Sequence, residues 1–137
     1  MAQTAGAATF ELPPNWIDES TYQYQSPEHL WKVTLMFDTS VKEESAQAVI
    51  SDRVEESKLV LPGFRLEERS PIGLGGRTGE TATFVSQDAD QVTRTRIVVV
   101  MLAPATALIV MAQGPASRWR EFEPLWQHLI SSFRLAW

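Results

Sequence analysis

The 137-residue chain has no cysteine and only two histidines, His29 and His128, which stand far apart in the sequence. Without cysteine, the chain cannot form disulfides, thiolate metal sites, iron–sulfur centres or a cysteine nucleophile. Two distant histidines do not predict a histidine-rich metal site, because such sites need several ligands that converge on one ion. We therefore expect no metal and no cofactor.

Positive charge is scarce in this sequence. The chain has 12 lysines and arginines against 17 aspartates and glutamates, which gives a net charge of −5 at pH 7. Affinity for nucleic acids comes mostly from lysine and arginine side chains that neutralise phosphates. The composition therefore argues against a nucleic-acid partner.

Long hydrophobic segments are also missing. The longest apolar run, residues 97–112, is interrupted by Pro104, and it is shorter than the roughly 20 residues of a transmembrane helix. The N-terminus has neither the basic start nor the apolar stretch of a secretory signal peptide. We expect a cytoplasmic protein without a lipid anchor and without stable membrane insertion.

The sequence carries no recognisable catalytic motif. It contains neither the Gly-x-Ser-x-Gly pattern of a nucleophile elbow nor the His-Glu-x-x-His pattern of a zinc protease. The glycine-rich residues 73–79 match no phosphate-binding fingerprint and lead into a strand, so they predict a hairpin turn. Neighbouring carboxylates such as Glu55 and Glu56 point apart on a helix and do not form an acid–base pair. We predict that the protein is not an enzyme.

Hydrophobic periodicity predicts most of the secondary structure. Two amphipathic helices are predicted, one between Ser40 and Pro62 with a capping box at Ser40 and Glu43, and one over residues 119–133. We expect an α+β fold with a single antiparallel twisted sheet and both helices packed on one face. It forms one domain over residues 1–137, of which residues 1–8 are expected to be a flexible N-terminus. Strands are predicted over residues 9–12, 17–25, 30–37, 64–72, 78–87, 92–103 and 107–112.

Side-chain alternation assigns residues to the two faces of the predicted sheet. Phe64, Leu66 and Ile72 are expected to share one face of their strand. Gly114 and Pro115 are expected to end the last predicted strand, because both residue types interrupt strand pairing.

The last predicted hairpin is apolar on both faces, whereas a sheet with one solvated face alternates apolar and polar residues. One face of the hairpin carries Ile97, Val99 and Met101. If both helices cover the other face, the face with Ile97, Val99 and Met101 is free. It can then be covered by the N-terminal segment, form a dimer interface or bind a hydrophobic partner. Met36, Met101 and Met111 suit a surface that adapts to varied apolar ligands.

Three short segments stand in a distinctive order along the chain: FELPPNW at residues 10–16, LPGFRL at residues 61–66 and FEPLW at residues 122–126. Together with the Gly76-Arg77 turn, they resemble the DcrB-like family over residues 9–134. That family has a PsbP-like α+β fold, and its cytoplasmic branch is similar to the Eag chaperones of type VI secretion. The resemblance implies a dimeric chaperone that holds the N-terminal transmembrane helices of a PAAR- or Rhs-type effector on a concave hydrophobic sheet.

The resemblance, carried over by strand parity, implies a binding surface at Thr95, Ile97, Val99 and Met101. The register of the last hairpin, which the sequence does not decide, determines whether Ile109 and Met111 lie on the same face. If this face is open, a glutamate at Ile97 or Val99 abolishes partner binding and leaves the fold intact. The candidate binding residues are Met36, Thr95, Ile97, Val99, Met101, Ile109 and Met111.

Two alternative functions are compatible with the sequence. An immunity or inhibitor protein would bind a folded toxin through a largely polar interface, and its affinity would fall steeply with salt. A small module that binds a hydrophobic ligand would instead enclose it in a pocket. Neither alternative requires catalytic residues.

Overall fold

The computed structural model describes residues 2–5, 8–11, 21–39, 41–42 and 45–135, and for the first two ranges we describe the backbone alone. Apart from the first strand, Ala2–Ala5, which the sequence did not predict, the order of strands and helices agrees with the sequence prediction. The predicted capping box at Ser40 and Glu43 lies outside the described residues. In chain order the elements are β1 (Ala2–Ala5), β2 (Ala8–Glu11), β3 (Thr21–Gln25), β4 (Lys32–Asp38), α1 (Ala46–Val60), β5 (Arg65–Leu74), β6 (Arg77–Asp88), β7 (Gln91–Ala103), β8 (Thr106–Pro115), a 3₁₀ turn (Ala116–Arg118) and α2 (Trp119–Ser132).

Six of the strands form one antiparallel sheet in the order β3-β4-β8-β7-β6-β5, while β1 and β2 pair with each other separately. The predicted single antiparallel sheet is thereby confirmed for the main body of the described chain. β7 and β8 occupy the middle of the sheet, where a strand is covered on both sides and becomes apolar on both faces. The two-faced apolar pattern of this hairpin therefore reflects its central position.

The two helices lie on opposite faces of the sheet, and the prediction that they share one face is wrong. On one side, Trp119 and Phe122 of α2 pack against Val98 of β7. On the other side, Ile50 of α1 packs against Val99. Because Val98 and Val99 are adjacent in a strand and point to opposite faces, each face of the central hairpin requires its own cover.

The strand β5 contains a bulge that corrects the predicted face assignment. Leu66 pairs with Phe84 and Glu68 pairs with Thr83, so Glu67 is the extra residue between them. A bulge shifts the inside–outside alternation by one residue. As a result, Phe64 packs on the α1 side, with its ring 5.0 Å from that of Phe84. Ile72 packs on the α2 side, so the prediction that these residues share one face with each other is wrong.

The strand β8 continues through Gly114 and Pro115, where the sequence predicted its end. Gly114 pairs with Arg94 of β7, and the ring of Trp31 lies directly over it. A Cβ atom at this position would lie 2.0 Å from a Trp31 ring carbon. Because Gly114 has no side chain, β8 can continue beneath the Trp31 ring, and the glycine does not interrupt the strand.

Helix α1 begins at a serine cap and ends before a proline. The Ser45 hydroxyl accepts a hydrogen bond from the Ala48 backbone N–H at 3.2 Å, which satisfies one of the free donors of the first turn. Leu61 ends the helix in an extended conformation ahead of Pro62. The predicted end of this helix is confirmed.

Helix α2 is held to the sheet by an aromatic cluster and by two arginines of β7. The Trp31 ring lies 5.1 Å from that of Phe122. Arg96 donates to the Glu123 carboxylate at 3.0 Å, and its guanidinium lies 5.4 Å from the centre of the Trp119 ring. The Trp119 indole N–H donates to the same carboxylate at 2.8 Å. The polar groups of Arg96, Glu123 and Trp119 are therefore paired with one another next to the aromatic rings.

Two glutamates in this layer have lowered pKa values. Arg94 donates two hydrogen bonds to Glu67 at 2.7 and 3.0 Å, and these bonds lower the pKa of Glu67 although partial burial opposes them. Burial also opposes the charged form of Glu123. The hydrogen bonds from Arg96 and Trp119 and the charge of Arg96 outweigh that effect and lower its pKa.

We predict that the protein loses stability in acid through these two groups. A carboxylate whose pKa is lowered by folding stabilises the native state above its unfolded value of 4.5 and loses that contribution as pH falls through the folded value. Urea unfolding measured from neutral pH to below pH 4.5 should show a falling free energy of unfolding. The variant Glu123→Gln should flatten this dependence. Glu56→Gln, at an exposed position of α1, is the control and should retain it.

We predict that Gly114→Ala destabilises the protein, because the added methyl group overlaps the Trp31 ring. Overpacking of this kind costs about 1–3 kcal/mol of unfolding free energy. Gly73→Ala is the matched control, since a Cβ atom there meets only a carbonyl oxygen at 4.0 Å. Equal unfolding midpoints for the two variants would show that the Trp31 ring can move away at no cost.

Candidate functional site: the α1 side of the sheet

The seven candidate residues all lie on one face of the sheet, the face that carries α1. The register of the hairpin places Met111 opposite Ile97 and Ile109 opposite Val99, and Met36 of β4 is opposite Ile109. Because directly paired residues project to the same side, the ambiguity in the register is resolved in favour of a shared face. We call this face the α1 side of the sheet.

Four of the seven residues are core residues. Thr95, Ile97, Val99 and Ile109 are each at most 1% exposed, and the last three belong to the cluster that packs against α1. The expectation that this part of the hairpin is uncovered is therefore wrong, because α1 lies over it. A glutamate at Val99 would enter the core, and it does not test an open surface.

The part of the α1 side that lies beside the helix is only half-buried. α1 packs over β6 and β7, and the side chains of β4, together with Met111 and Gln113 of β8, are only half-buried. Thr34 and Met111 are directly paired across these strands, and Met36 and Gln113 are their diagonal neighbours. The half-buried residues of this open strip are Thr34, Met36, Met111 and Gln113.

The open strip is apolar at the methionines and polar at its other end, where Gln113 is paired with half-buried Lys32 of β4. The two methionines offer flexible, polarisable thioethers that fit apolar groups of varied shape. Gln113 donates a hydrogen bond to the hydroxyl of buried Thr95 at 3.3 Å, which anchors its side chain to the floor of the strip. The strip therefore offers two thioethers to an apolar group, next to a polar end.

A charged contact ties the helix to the border of the strip. Arg53 of α1 reaches across to β4, where its guanidinium lies 3.7 Å from the Asp38 carboxylate and 3.9 Å from the Met36 sulfur. This contact fixes α1 as one wall of the strip. On the opposite border, the exposed residues of β3 form the edge of the sheet.

Met101, the remaining candidate residue, lies apart from the open strip. It lines a cleft of about 610 Å³ at the tip of the central hairpin, together with Lys42, Arg77 and Pro104. The Arg77 guanidinium donates to the Met101 carbonyl oxygen at 3.3 Å. The structure thus brings Met36 and Met111 together and separates them from Met101 by the buried residues between them.

Sequence reasoning did not select Thr34 and Gln113. Thr34 is two residues from Met36, and Gln113 is two residues from Met111, so each pair projects to the same face of its strand. With the sheet order known, this alternation identifies both residues. Among the described residues, no three His, Cys, Asp or Glu side chains are grouped as metal ligands would be. No helix in the described part of the chain is long and apolar enough to cross a membrane.

Comparison with known proteins gives a family match and several structural matches. A family model described as DcrB matches residues 8–132. No protein with a curated description matches the sequence. A crystal structure of PA94 from Pseudomonas aeruginosa, a protein of unknown function, is similar to this chain with a TM-score of 0.77 and 19% identity. The match covers 98% of this chain and 96% of PA94.

Two further structures share the fold at lower similarity. The Ran-binding protein Mog1p of Saccharomyces cerevisiae matches with a TM-score of 0.58 and 12% identity, over 92% of this chain and 88% of its own. Cyanobacterial PsbP from Synechocystis sp. PCC 6803 matches with a TM-score of 0.50 and 9% identity, over 92% of this chain and 98% of its own. At these identities the similarity concerns the fold, which matches the PsbP-like and Mog1 folds.

We predict that glutamate costs far more stability at a buried position of the α1 side than at a half-buried one. Val99→Glu places a carboxylate in the core and should lower the free energy of unfolding by more than about 3 kcal/mol, or prevent folding. Met111→Glu should cost about 1 kcal/mol or less, because its side chain reaches solvent. Thermal and urea unfolding of the two variants checks this. A folded, stable Val99→Glu protein would mean that α1 detaches readily from the sheet.

Proposed function

This chain belongs to the DcrB family, and from that premise we propose that it is a chaperone associated with a type VI secretion effector. It binds the N-terminal transmembrane helices of a PAAR- or Rhs-type effector and shields them from water. The observation that carries the proposal is the open strip of Thr34, Met36, Met111 and Gln113 beside α1. This half-buried, methionine-containing surface lies on a sheet whose central strands are otherwise covered.

The dimensions of the strip suit a helix. Neighbouring strands are spaced about 4.8 Å apart, so the span from β8 across β4 to β3 is about 10 Å, close to the diameter of an α-helix with its side chains. Helix α1 forms one wall, and β3 forms the other border. A client helix can therefore lie along the strip with one face on the methionines.

The energetics favour such a complex. A transmembrane segment in water exposes about 20 mostly apolar residues. Covering about 400 Å² of that surface is worth about 10 kcal/mol, before the cost of association is subtracted. Binding of this kind requires shape and apolar area and no catalytic group. The net charge of −5 is expected to keep the loaded complex soluble.

Methionine is well matched to this task. A chaperone must hold helices whose side chains differ from turn to turn, and the unbranched thioether adapts its rotamers to irregular surfaces. The polar groups of Thr34 and Gln113 can pair with the occasional serine, threonine or backbone carbonyl of a client. The buried residues Ile97, Val99 and Ile109 then act as the rigid floor on which the strip rests.

We predict that Met111→Glu abolishes client binding while the chaperone still folds. A carboxylate in the strip would be desolvated by the apolar helix, so recovery of the client in a co-expression pull-down should fall by about tenfold or more. Leu125→Glu is the matched control. This apolar residue is 58% exposed on α2, on the opposite face, and its replacement should leave recovery unchanged.

The same pull-down separates the alternatives. A hydrophobic complex persists in high salt, whereas the polar interface of an immunity or inhibitor protein weakens steeply. The proposal is wrong if the client helices stay insoluble in the presence of the wild-type protein. It is also wrong if Met111→Glu and Leu125→Glu recover equal amounts of client.

A further inference from the structure

The cleft at the tip of the central hairpin combines apolar walls with two positive charges. Its volume of about 610 Å³ falls within the range of about 300–1,000 Å³ that is typical of pockets for small organic molecules. Val41, Met101 and Leu102 contribute apolar lining. Among the described residues that line the cleft, Lys42 and Arg77 carry the only charges. We call this space the tip cleft.

Neither of these cations has a carboxylate partner within the described part of the chain. The ion pairs found there involve other arginines. The Arg77 guanidinium donates to the Met101 carbonyl oxygen at 3.3 Å, and this bond holds the group beside the tip cleft. Because a guanidinium has several N–H donors, others remain for a ligand. Arg77 is therefore a preorganised donor for an anion.

The hairpin tip also fixes the backbone next to Lys42. The Val41 backbone N–H donates to the Ala105 carbonyl oxygen at 3.2 Å. Ala105 has a φ of 62°, a left-handed conformation that favours glycine. The tip thus keeps an alanine in a strained conformation at the position where it binds the neighbour of Lys42. The two positive charges reach the tip cleft from two separate segments of the chain, each tied to the central hairpin.

The charges around the tip cleft favour a ligand with a single negative charge. A second cleft of about 360 Å³ shares Val41 and Lys42 with it and is lined by Asp38, Asp52 and Glu56. These carboxylates repel an anion, and the repulsion increases with the charge of the ligand. A carboxylate carries one negative charge, whereas a phosphate monoester carries about −1.5 to −2 at pH 7.

We propose that the tip cleft binds a small organic carboxylate with an apolar body, of the kind that a medium-chain fatty acid represents. The Arg77 guanidinium donates to the carboxylate oxygens, and exposed Lys42 adds a second positive charge. Charge-assisted hydrogen bonds between a guanidinium and a carboxylate are among the strong ones. The apolar body of the ligand packs against Met101 and Leu102. This site lies apart from the open strip and does not depend on client binding.

Titration with octanoate tests the proposal, with amide NMR shifts to locate the ligand and calorimetry to measure affinity. The shifts should concentrate at residues 101–105 and at Lys42 and Arg77, which line the tip cleft. Octanol has the same chain without the charge and should bind at least about tenfold more weakly. Octyl phosphate should also bind more weakly than octanoate, because the neighbouring carboxylates repel its larger charge.

Charge-removing variants give a second, independent measurement. Lys42→Gln and Arg77→Gln should each weaken octanoate binding by about fivefold or more. Lys58→Gln, at an exposed position of α1, is the matched control and should keep the wild-type affinity. Met111→Glu should keep it as well, since the open strip is separate from the tip cleft. Urea unfolding midpoints confirm that the variants remain folded.

Four results would overturn the proposal. The first is an absence of octanoate binding, and the second is octanol that binds as tightly as octanoate. The third is octyl phosphate that binds more tightly than octanoate. The fourth is equal affinity of Lys42→Gln, Arg77→Gln and Lys58→Gln for octanoate. Failure of the proposed chaperone function is distinguishable from all four, because it is measured by client recovery in the pull-down and the octanoate titration contains no client.

Discussion

Val98 and Val99 are neighbours in β7, yet each is fully buried in a different hydrophobic cluster. The central hairpin is apolar on both faces, and the fold must cover both of them to remain stable. One helix is therefore placed on each side of the sheet. The positions of α1, α2 and the strip beside α1 all follow from this two-sided burial.

The covers of the two faces differ in width. An α-helix with its side chains is about 10 Å across, which matches about two strands at their spacing of about 4.8 Å. On the α2 side, Trp31, Phe133 and Leu135 pack next to the helix and extend the cover. On the α1 side, α1 lies over β6 and β7 and leaves Met36 and Met111 half-buried. The open strip is thus the part of one face that a single helix is too narrow to protect.

The sequence predicted the elements of the fold better than their arrangement. Alternation identified which residues of β7 share a face, because that information is local. It did not identify which helix covers which face, since the connection of a helix to a face depends on the path of the whole chain. The bulge at Glu67 was missed because a bulge inserts one residue without changing composition. For the candidate site, alternation grouped the correct residues, but burial beneath α1 distinguishes the floor residue Val99 from the accessible Met111.

The bulged edge strand β5 has a consequence for the size of any assembly. A subunit with two open edges can add further copies without limit and grow into a fibre. The bulge and Pro71 disfavour pairing of β5 with a strand of another chain, so a sheet of several copies could not grow past this edge.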